Sequence, residues 1–394
     1  MKPAMNPFFR HRYGPRQPAT LAALALLLTT LTAHAAVPRD GGVSGLEAQA
    51  GGQASGPVAL ARPGMDSGAA IAPLLSAGPL SADTAVHIAL LNNPGLQLSL
   101  ASEGVNISDA VPADSPARRK AAQDIALLSA QARKAWVRAV AAEQLVRLAT
   151  QAKESTEAGG ELARRMARAG NWSKLQQARE QLLLADAAAQ LARARQAAFS
   201  EREKLIVVLG LWGAQTGFTL PDRLPELPAQ AQELPDVESR VLQQRLDLQL
   251  AKLEWARQRA ARREPGADAL WDAMGNAARV RELAVKARSE AREAYHAYRT
   301  AWDLAKHYEK EVLPLSRFVN DETLLRYNGM LASVFEVLAE ARAQAQAAGE
   351  AVQAGRDFWL ADTDLRTVLS GAPYDATSGA SAESPAANAA AAAH

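Results

Sequence analysis

The sequence predicts an all-α protein whose long antiparallel coiled-coil helices form two duplicated repeats, with little or no β-structure. Apolar residues recur at alternating spacings of three and four over stretches much longer than an ordinary globular helix. Aromatic residues make up only 5% of the chain, and alanine supplies much of its 48% hydrophobic content. This composition favours close helix packing through small side chains. The segment 92–97 is also echoed at 244–249, which indicates an internal repeat.

The first 35 residues, 1–35, have the pattern of a secretory signal peptide. A basic beginning precedes an apolar run over 21–31, and an Ala-His-Ala sequence at 33–35 offers a cleavage site. An apolar run of this length is too short to cross a ~30 Å hydrocarbon core as a helix, which argues against a membrane anchor. We therefore expect the chain to be exported.

Charge and cysteine content exclude several classes of function. Removal of the signal takes away four basic residues and no acidic ones, which leaves 40 of the 44 basic residues against 42 acidic residues. This balance provides no strongly basic surface for a nucleic acid. The chain contains no cysteine, which excludes disulfides and thiolate metal sites.

Two flanking segments are predicted to be disordered. Residues 36–79 form a leader rich in Gly, Ala, Ser and Pro, and residues 372–394 form a tail of similar bias that ends in an alanine run. Neither segment has enough large apolar residues to offset the entropy lost when a chain becomes ordered.

Four runs of apolar residues predict the seams of long helices. The two most regular runs are Ala121, Ile125, Leu128, Ala132, Ala135, Ala139, Ala142, Val146 and Ala149, and then Ala284, Ala287, Ala291, Ala294, Tyr298, Ala301, Ala305, Tyr308 and Val312. The two less regular runs are Leu175, Ala178, Leu182, Ala185, Ala189 and Ala192, and then Leu331, Val334, Leu338, Ala341, Ala345, Ala348, Val352 and Trp359.

Proline residues divide the helical region into two parts. Four of them interrupt any continuous helix at the middle of the chain: Pro221, Pro225, Pro228 and Pro235. We assign 80–211 to the first helical repeat, 212–235 to a Pro-rich interrepeat segment and 236–371 to the second helical repeat.

Short motifs follow the same order in both halves. The first repeat opens with Asn-Asn-Pro at 92–94, and the second opens with Arg-Leu-Asp-Leu at 245–248. Each repeat then has a turn between long helices, at 169–175 and at 326–338. On these motifs the chain resembles the TolC-like outer-membrane efflux protein family, whose second repeat opens with Arg-Pro-Asp-Leu. The resemblance covers nearly all of residues 80–371.

The resemblance implies an α-barrel protomer of a homotrimer in the outer membrane and periplasm. Its helices would form a hollow tube, and its helical hairpin tips would dock to a periplasmic adaptor (a membrane fusion protein) that joins an inner-membrane pump. Such a protein is a passive conduit without a cofactor. The sequence leaves its substrate open.

The adaptor-docking tips that the resemblance implies are Gly170, Asn171, Trp172, Ser173, Gly329, Met330, Leu331 and Ala332. We expect Gly170 and Gly329 to adopt the left-handed conformation that ends a helix, and Ser173 or Ser333 to cap the next helix. From the residues alone, a plain hairpin loop without a binding function is an open alternative.

The chain departs from the family at two places. Family members have two β-strands between the first two helices of each repeat, whereas about twenty residues separate Gln97 from the helix predicted to begin near Arg118. The corresponding segment 261–276 has no period-two pattern. We therefore expect both membrane hairpins to be absent. Either they were removed from an ordinary pore protein, or this is a soluble periplasmic helical assembly.

No arrangement of residues predicts catalysis, a metal site or a cofactor site. His87, His296 and His307 are not spaced as a helical metal pair, and acidic residues alternate with arginines as on solvated helix faces. The sequence has no serine elbow, phosphate loop or dinucleotide motif. Aromatic residues such as Tyr298 and Trp302 are expected to pack in the core rather than to stack on a ligand.

The sequence thus predicts a non-enzymatic outer-membrane channel component of a tripartite efflux system. The alternative is a soluble periplasmic coiled-coil scaffold, derived from the same family, that has lost the pore. An adaptor of the membrane-fusion class fits less well, because no lipoyl-like or β-barrel segments flank a single hairpin.

Overall fold

The computed structural model describes residues 43, 45–47, 59–62, 64–104, 115–261 and 267–374. The predicted signal peptide and nearly all of the predicted tail lie outside these residues, as do the segments 105–114 and 262–266. Within the described ranges the secondary structure consists of helices and loops without a strand, which confirms the predicted all-α fold class. None of the helices in these ranges has an apolar stretch sufficient to span a bilayer.

Most helices follow one another closely, and the Pro-rich interrepeat segment is the longest described connection between them. In chain order they are α1 (Ser67–Ser76), α2 (Ala82–Asn92), α3 (Pro94–Ser102), α4 (Pro116–Arg168), α5 (Lys174–Leu209), α6 (Val237–Gln244), α7 (Leu246–Ala261), α8 (Ala267–His307), a π-helical turn (Tyr308–Val312), α9 (Leu313–Asn328) and α10 (Val334–Leu369). A 3₁₀ helix (Gly213–Gly217) begins the interrepeat segment. The 53 residues of α4 correspond to a rod of ~80 Å.

Side-chain caps and prolines set where the first-repeat helices begin. The side chain of Asn93 accepts the N–H of Leu96 at 3.0 Å, and Pro94 is the first residue of α3, so α2 and α3 are separate helices. Ser115 caps α4 in the same way, and Pro116 is its first residue. Proline suits this position because the first helical N–H has no partner within the helix.

The long helices pack as antiparallel hairpins. In the first repeat α4 packs along α5, and in the second repeat the continuous helical stretch 267–328 packs along α10. Helix α10 also packs against α4, which joins the two repeats. The short helices α2 and α6 cover the ends of these hairpins.

The two most regular predicted seams face the interior. The residues of the first run that are buried in α4 are Ala121, Ile125, Leu128, Ala132, Ala135, Ala139 and Ala142. The residues of the second run that are buried in α8 are Ala287, Ala291, Ala294, Tyr298 and Ala305. The run along α10 is buried or half-buried except for Leu331, which lies before the helix and is exposed.

The predicted seam of α5 is wrong. Leu175, Leu182 and the four alanines of the same run face solvent. The side of α5 that faces the rest of the chain instead contains Leu184, Leu191 and Leu205, of which the last two are buried. Helix α5 has apolar residues on two faces, and periodicity alone does not tell which of them contacts α4.

Equivalent glycines end the second long helix of each repeat. Gly210 and Gly371 have φ angles of 67° and 90°, in the left-handed region. Each packs against the backbone where two short helices meet, Gly210 against Asn92 and Gly371 against Gln244. A Cβ atom on Gly210 would lie 2.6 Å from the carbonyl oxygen of Asn92, so a larger residue does not fit. The two repeats thus share one local plan at this end.

Aromatic side chains of the second repeat hold the Pro-rich segment. The hydroxyl of Tyr298 accepts the N–H of Gln232 at 2.9 Å, and the indole N–H of Trp302 donates to the carbonyl of Pro228 at 3.2 Å. Trp359 donates in the same way to another proline carbonyl of the segment. These aromatics pack against the core, as predicted, while their polar atoms fix the extended chain that crosses the helices.

Part of the predicted disordered leader is ordered, contrary to the prediction for 36–79. Helix α1 is capped by Asp66, and Leu46, Leu60 and Ile71 are buried in the core of the first repeat. Composition underestimated the order of this segment, because its few large apolar residues lie inside the same core.

The Arg-Leu-Asp-Leu motif builds a buried ion-pair network. Arg245 is only 1% exposed, and its guanidinium pairs with Asp247 at 2.8 Å and with Glu290 of α8. Burial acts to lower the pKa of Arg245, but the hydrogen bonds and charges of the two carboxylates raise it above its usual value. The motif therefore fixes α7 against α8.

Candidate docking site at the hairpin tips

The first tip joins α4 to α5 through a well-defined turn. Gly170 has a φ of 80°, and the N–H of Asn171 donates to the carbonyl of Met166 at 2.9 Å. The hydroxyl of Ser173 accepts the N–H of Gln176 at 3.2 Å, and the Gln176 side chain accepts the N–H of Ser173 at 3.0 Å. This reciprocal capping box starts α5.

The second tip joins α9 to α10 with the same hydrogen-bond pattern. Met330 has a φ of 62°, and the N–H of Leu331 donates to the carbonyl of Arg326 at 2.8 Å. Ser333 and Glu336 form the capping box that starts α10, with the hydroxyl accepting the N–H of Glu336 at 3.2 Å.

The prediction that Gly329 is left-handed is wrong. Its φ and ψ are −82° and 5°, and the left-handed residue is Met330. Both turns place the left-handed residue three positions before the capping serine, so Gly170 corresponds to Met330 and Ser173 to Ser333.

Met330 has a strained backbone conformation and an exposed side chain. A left-handed conformation costs a non-glycine residue ~1–2 kcal/mol. The Met330 side chain is 94% exposed and that of Leu331 is 81% exposed, so packing within the chain does not offset this cost. Such an outlier in an exposed turn supports a functional hypothesis for the site.

The structure brings the two predicted tips together. The ring of Trp172 stacks on the ring of Phe335 with centroids 4.1 Å apart and an interplanar angle of 25°. Gly170, Asn171, Ser173 and Gly329 are exposed near this contact, whereas Trp172 and Ala332 are half-buried. The eight predicted tip residues therefore belong to one continuous end of the molecule.

The first tip has a basic border. Arg164, Arg165 and Arg168 surround Glu161 at 3.0, 2.9 and 3.8 Å. The hydrogen bond from Arg165 is the main cause that lowers the pKa of Glu161. Three guanidiniums face one carboxylate, and Lys174 is exposed next to the turn, so the border has a net positive charge.

The histidines that the structure describes do not form a cluster with other ligand side chains. His296 and His307 are exposed on α8, and the Nδ1 of His307 lies 3.2 Å from a carboxylate oxygen of Glu311. Across the part of the chain that the structure describes, no three His, Asp or Glu side chains are grouped as metal ligands would be. The tip itself consists of capping, aromatic and aliphatic groups, which suit binding rather than proton transfer.

Two features of the tips were missed in the sequence. The stack between Trp172 and Phe335 joins residues far apart in the chain, and no local pattern indicates it. The sequence does contain a signal for the left-handed conformation of Met330. Alignment of Ser-x-x-Gln at 173–176 with Ser-x-x-Glu at 333–336 places Gly170 opposite Met330.

Two rows of exposed apolar residues lie outside the tips. We call them the α5 row and the α9 row, and they comprise Leu175, Leu182, Phe199 and Val207 in the first, and Leu315, Phe318 and Leu325 in the second. The exposed alanines of the wrongly predicted seam extend the α5 row. In both rows the spacing approaches the alternating threes and fours of a coiled-coil face, and neither row has a partner among the described residues.

Comparisons with known proteins identify the fold. No protein-family model matches the sequence, and no curated protein matches it. Among solved structures, the chain is similar to the outer-membrane channel OprN, with a TM-score of 0.54 and 18% identity over 65% of this chain and 68% of that chain.

Two further solved structures agree. The outer-membrane channel CmeC of Campylobacter jejuni gives a TM-score of 0.55 and 11% identity over 75% of this chain and 69% of that chain. The outer-membrane protein VceC of Vibrio cholerae gives a TM-score of 0.52 and 12% identity over 74% of this chain and 76% of that chain. At such identities the similarity establishes a common fold.

Proposed function

We propose that this chain, which has the TolC-like fold of outer-membrane efflux channels, is the channel component of a tripartite efflux system. It serves as a passive conduit and docks to a periplasmic adaptor through its two tips. The observation that carries the proposal is the exposed pair Met330 and Leu331 on a turn defined by hydrogen bonds. Bare, large apolar side chains on an ordered turn are typical of a protein-binding surface.

The tips offer a partner both apolar anchors and charge. Met330 has a flexible thioether side chain that adapts to an irregular pocket, and Leu331 extends the apolar contact. The basic border around the first tip favours an adaptor whose contact surface is acidic. The stack of Trp172 on Phe335 keeps the two tips in register, so that one partner contacts both.

The proposed assembly is a homotrimer. Each copy offers the α5 row and the α9 row, which are different surfaces and so suit head-to-tail association, and we propose that three copies close into a ring. Burial of the two rows supplies the apolar contacts that each alanine-rich protomer lacks on its outer faces. Exported to the periplasm and outer membrane, such a ring encloses a path for substrates that the partner pump drives.

Photo-crosslinking from the tip tests the proposal. A photoreactive residue replaces Met330 in the full chain, and a matched control replaces Trp212, which is exposed in the interrepeat segment. The probe is a purified periplasmic adaptor of the membrane-fusion class with a helical hairpin. We expect an adduct from position 330 and none from position 212. Equal adducts from both positions, or none from position 330, contradict the proposal.

A substitution series measures the same contact. Met330→Asp together with Leu331→Asp should weaken adaptor binding by about tenfold or more, because two apolar anchors are lost. Leu98→Asp is the matched control, since Leu98 is also exposed but lies in α3, away from the tips. The proposal fails if the control weakens binding as much as the tip variant does.

A further inference from the structure

We propose that the beginning of α8 binds the surface of an anionic lipid bilayer. Three large apolar side chains are exposed to solvent there, with exposed fractions of 72% for Leu270, 69% for Trp271 and 59% for Met274. All residues from 270 to 275 are exposed, so the helix has no packed side in this stretch. Spacings of three and four residues place Met274 on the same side as Leu270 and Trp271.

The patch projects beyond the neighbouring helix. The side chain of Asn276 in α8 donates to that of Gln258 in α7 at 2.7 Å, which sets the two helices side by side at this level. Helix α7 ends three residues after Gln258, whereas α8 begins nine residues before Asn276. The beginning of α8 therefore extends ~9 Å further along the helix axis. A flat surface reaches it without obstruction from α7.

The patch lies at the opposite end of the chain's long axis from the tips. The helical stretch 267–328 runs continuously from the patch to the turn that contains Met330. The two surfaces are therefore separate, and the lipid contact does not depend on adaptor docking.

The chemistry of the patch fits the interface of a bilayer. Tryptophan prefers the boundary between headgroups and acyl chains. Transfer of leucine and methionine side chains from water into this boundary is favourable in free energy. Arg257 and Arg259 are exposed in the last turns of α7 and complement the negative charge of anionic headgroups. The acidic Asp272, within the exposed stretch, already interacts with another group of the chain.

A second copy of the chain is a poorer occupant of this patch. Coiled-coil pairing with a second copy needs an apolar row that repeats over several turns, as the α5 and α9 rows do. The patch is confined to the first two turns of α8 and contains tryptophan and methionine in place of alanine. Two helical turns correspond to ~11 Å, far less than the ~30 Å hydrocarbon core, so the contact is with the bilayer surface.

Vesicle co-sedimentation of the full chain tests the proposal. The vesicles contain phosphatidylethanolamine and phosphatidylglycerol, and pure phosphatidylcholine vesicles serve for comparison. The variant replaces Leu270, Trp271 and Met274 by serine, and the matched control replaces the equally exposed Leu98 and Trp212, which lie outside the tips and the two rows, by serine. We expect the patch variant to lose affinity for the anionic vesicles by about tenfold or more, while the control binds as the wild type does.

A second variant, in which Arg257 and Arg259 are replaced by glutamate, tests the contribution of charge. It should weaken binding to anionic vesicles only. Absence of wild-type binding to anionic vesicles overturns the proposal, as does an equal loss in the control. If the patch variant changes the oligomeric state and leaves vesicle binding unchanged, the patch is a protein interface and the proposal is wrong. Circular dichroism of each variant shows that the helices are retained.

Discussion

Gly170 and Met330 occupy the same place in their turns, yet only glycine adopts a left-handed conformation without a steric cost. Gly329, one position away, has an ordinary φ, and the nearest atom to a Cβ added there is 3.5 Å away. Replacement of these residues therefore has different consequences, although the two glycines look equivalent in the sequence.

Alanine substitutions distinguish the two glycines. Gly170→Ala should lower the free energy of unfolding by ~1 kcal/mol, because alanine is forced into the left-handed region. Gly329→Ala should leave it unchanged within ~0.5 kcal/mol. Urea unfolding of the two variants checks the difference. An equal effect would contradict the assignment of the left-handed residue to position 330.

The buried guanidinium of Arg245 provides a second test. Arg245→Met leaves Glu290 buried without its main partner and should destabilise the protein by ~3–5 kcal/mol. Addition of Glu290→Gln to this variant should recover part of the loss, because the uncompensated charge is removed. Denaturant unfolding of the single and double variants measures the recovery. A double variant less stable than Arg245→Met would contradict the pairing.

Asp362 makes stability depend on pH. Burial raises its pKa above the usual value, and the opposing charge of Arg366 at 2.8 Å does not cancel this effect. A carboxyl with a raised folded-state pKa binds its proton more tightly in the native state. Its contribution to stability is therefore present at acidic pH and is lost as the pH rises through the raised pKa.

Asp362→Asn removes this dependence. Relative to the variant, the wild type should lose stability as the pH rises from acidic to neutral, because the buried carboxyl must ionise. Urea midpoints of both proteins at acidic and neutral pH give the comparison. A wild type that gains stability over the variant in the same interval would show that ion pairing with Arg366 outweighs burial.

At the scale of helices, alanine-lined seams bring backbones close but bury little area at each layer. Stability thus depends on many layers in register, as along α4 and α8. The two faces of α5 have different roles. The face with Leu184, Leu191 and Leu205 packs within the chain, whereas the α5 row on the other face is exposed and available to a partner.

Alanine substitutions on the two faces of α5 should therefore behave differently. Leu191→Ala creates a cavity against α4 and should cost ~2–3 kcal/mol in the unfolding of the protomer. Leu182→Ala should change protomer stability by less than ~0.5 kcal/mol but weaken self-association. Thermal unfolding and analytical ultracentrifugation measure the two effects. Equal destabilisation would mean that both faces are packed within one chain.

The sequence allows the helices, the duplicated plan and the tips to be predicted, because periodicity and capping signals are local. It does not reveal which face of α5 contacts the chain, since both faces have apolar residues. The helix at residues 67–76 was missed because the disorder prediction used the average composition of the segment. Composition does not reveal that a single side chain, Ile71, is buried in the core of the first repeat. The left-handed Met330 was missed because its neighbour Gly329 is the residue type that adopts this conformation most readily, whereas the turn places it one residue later.

At the scale of the whole molecule, the chain presents three kinds of surface. The tips at one end suit a protein partner, the patch at the beginning of α8 suits a lipid surface, and the α5 and α9 rows suit further copies of the chain. Removal of one surface should leave the others intact, because they are built from different side chains on separate parts of the helices.

Electron microscopy of the purified full chain tests the central claim most directly. The conduit proposal predicts particles with three-fold symmetry, in which antiparallel helices surround a hollow axis and the paired Trp172 and Phe335 turns lie together at one end. Monomeric rods, or rings in which the helices fill the axis, would contradict the proposal that this protein conducts substrates.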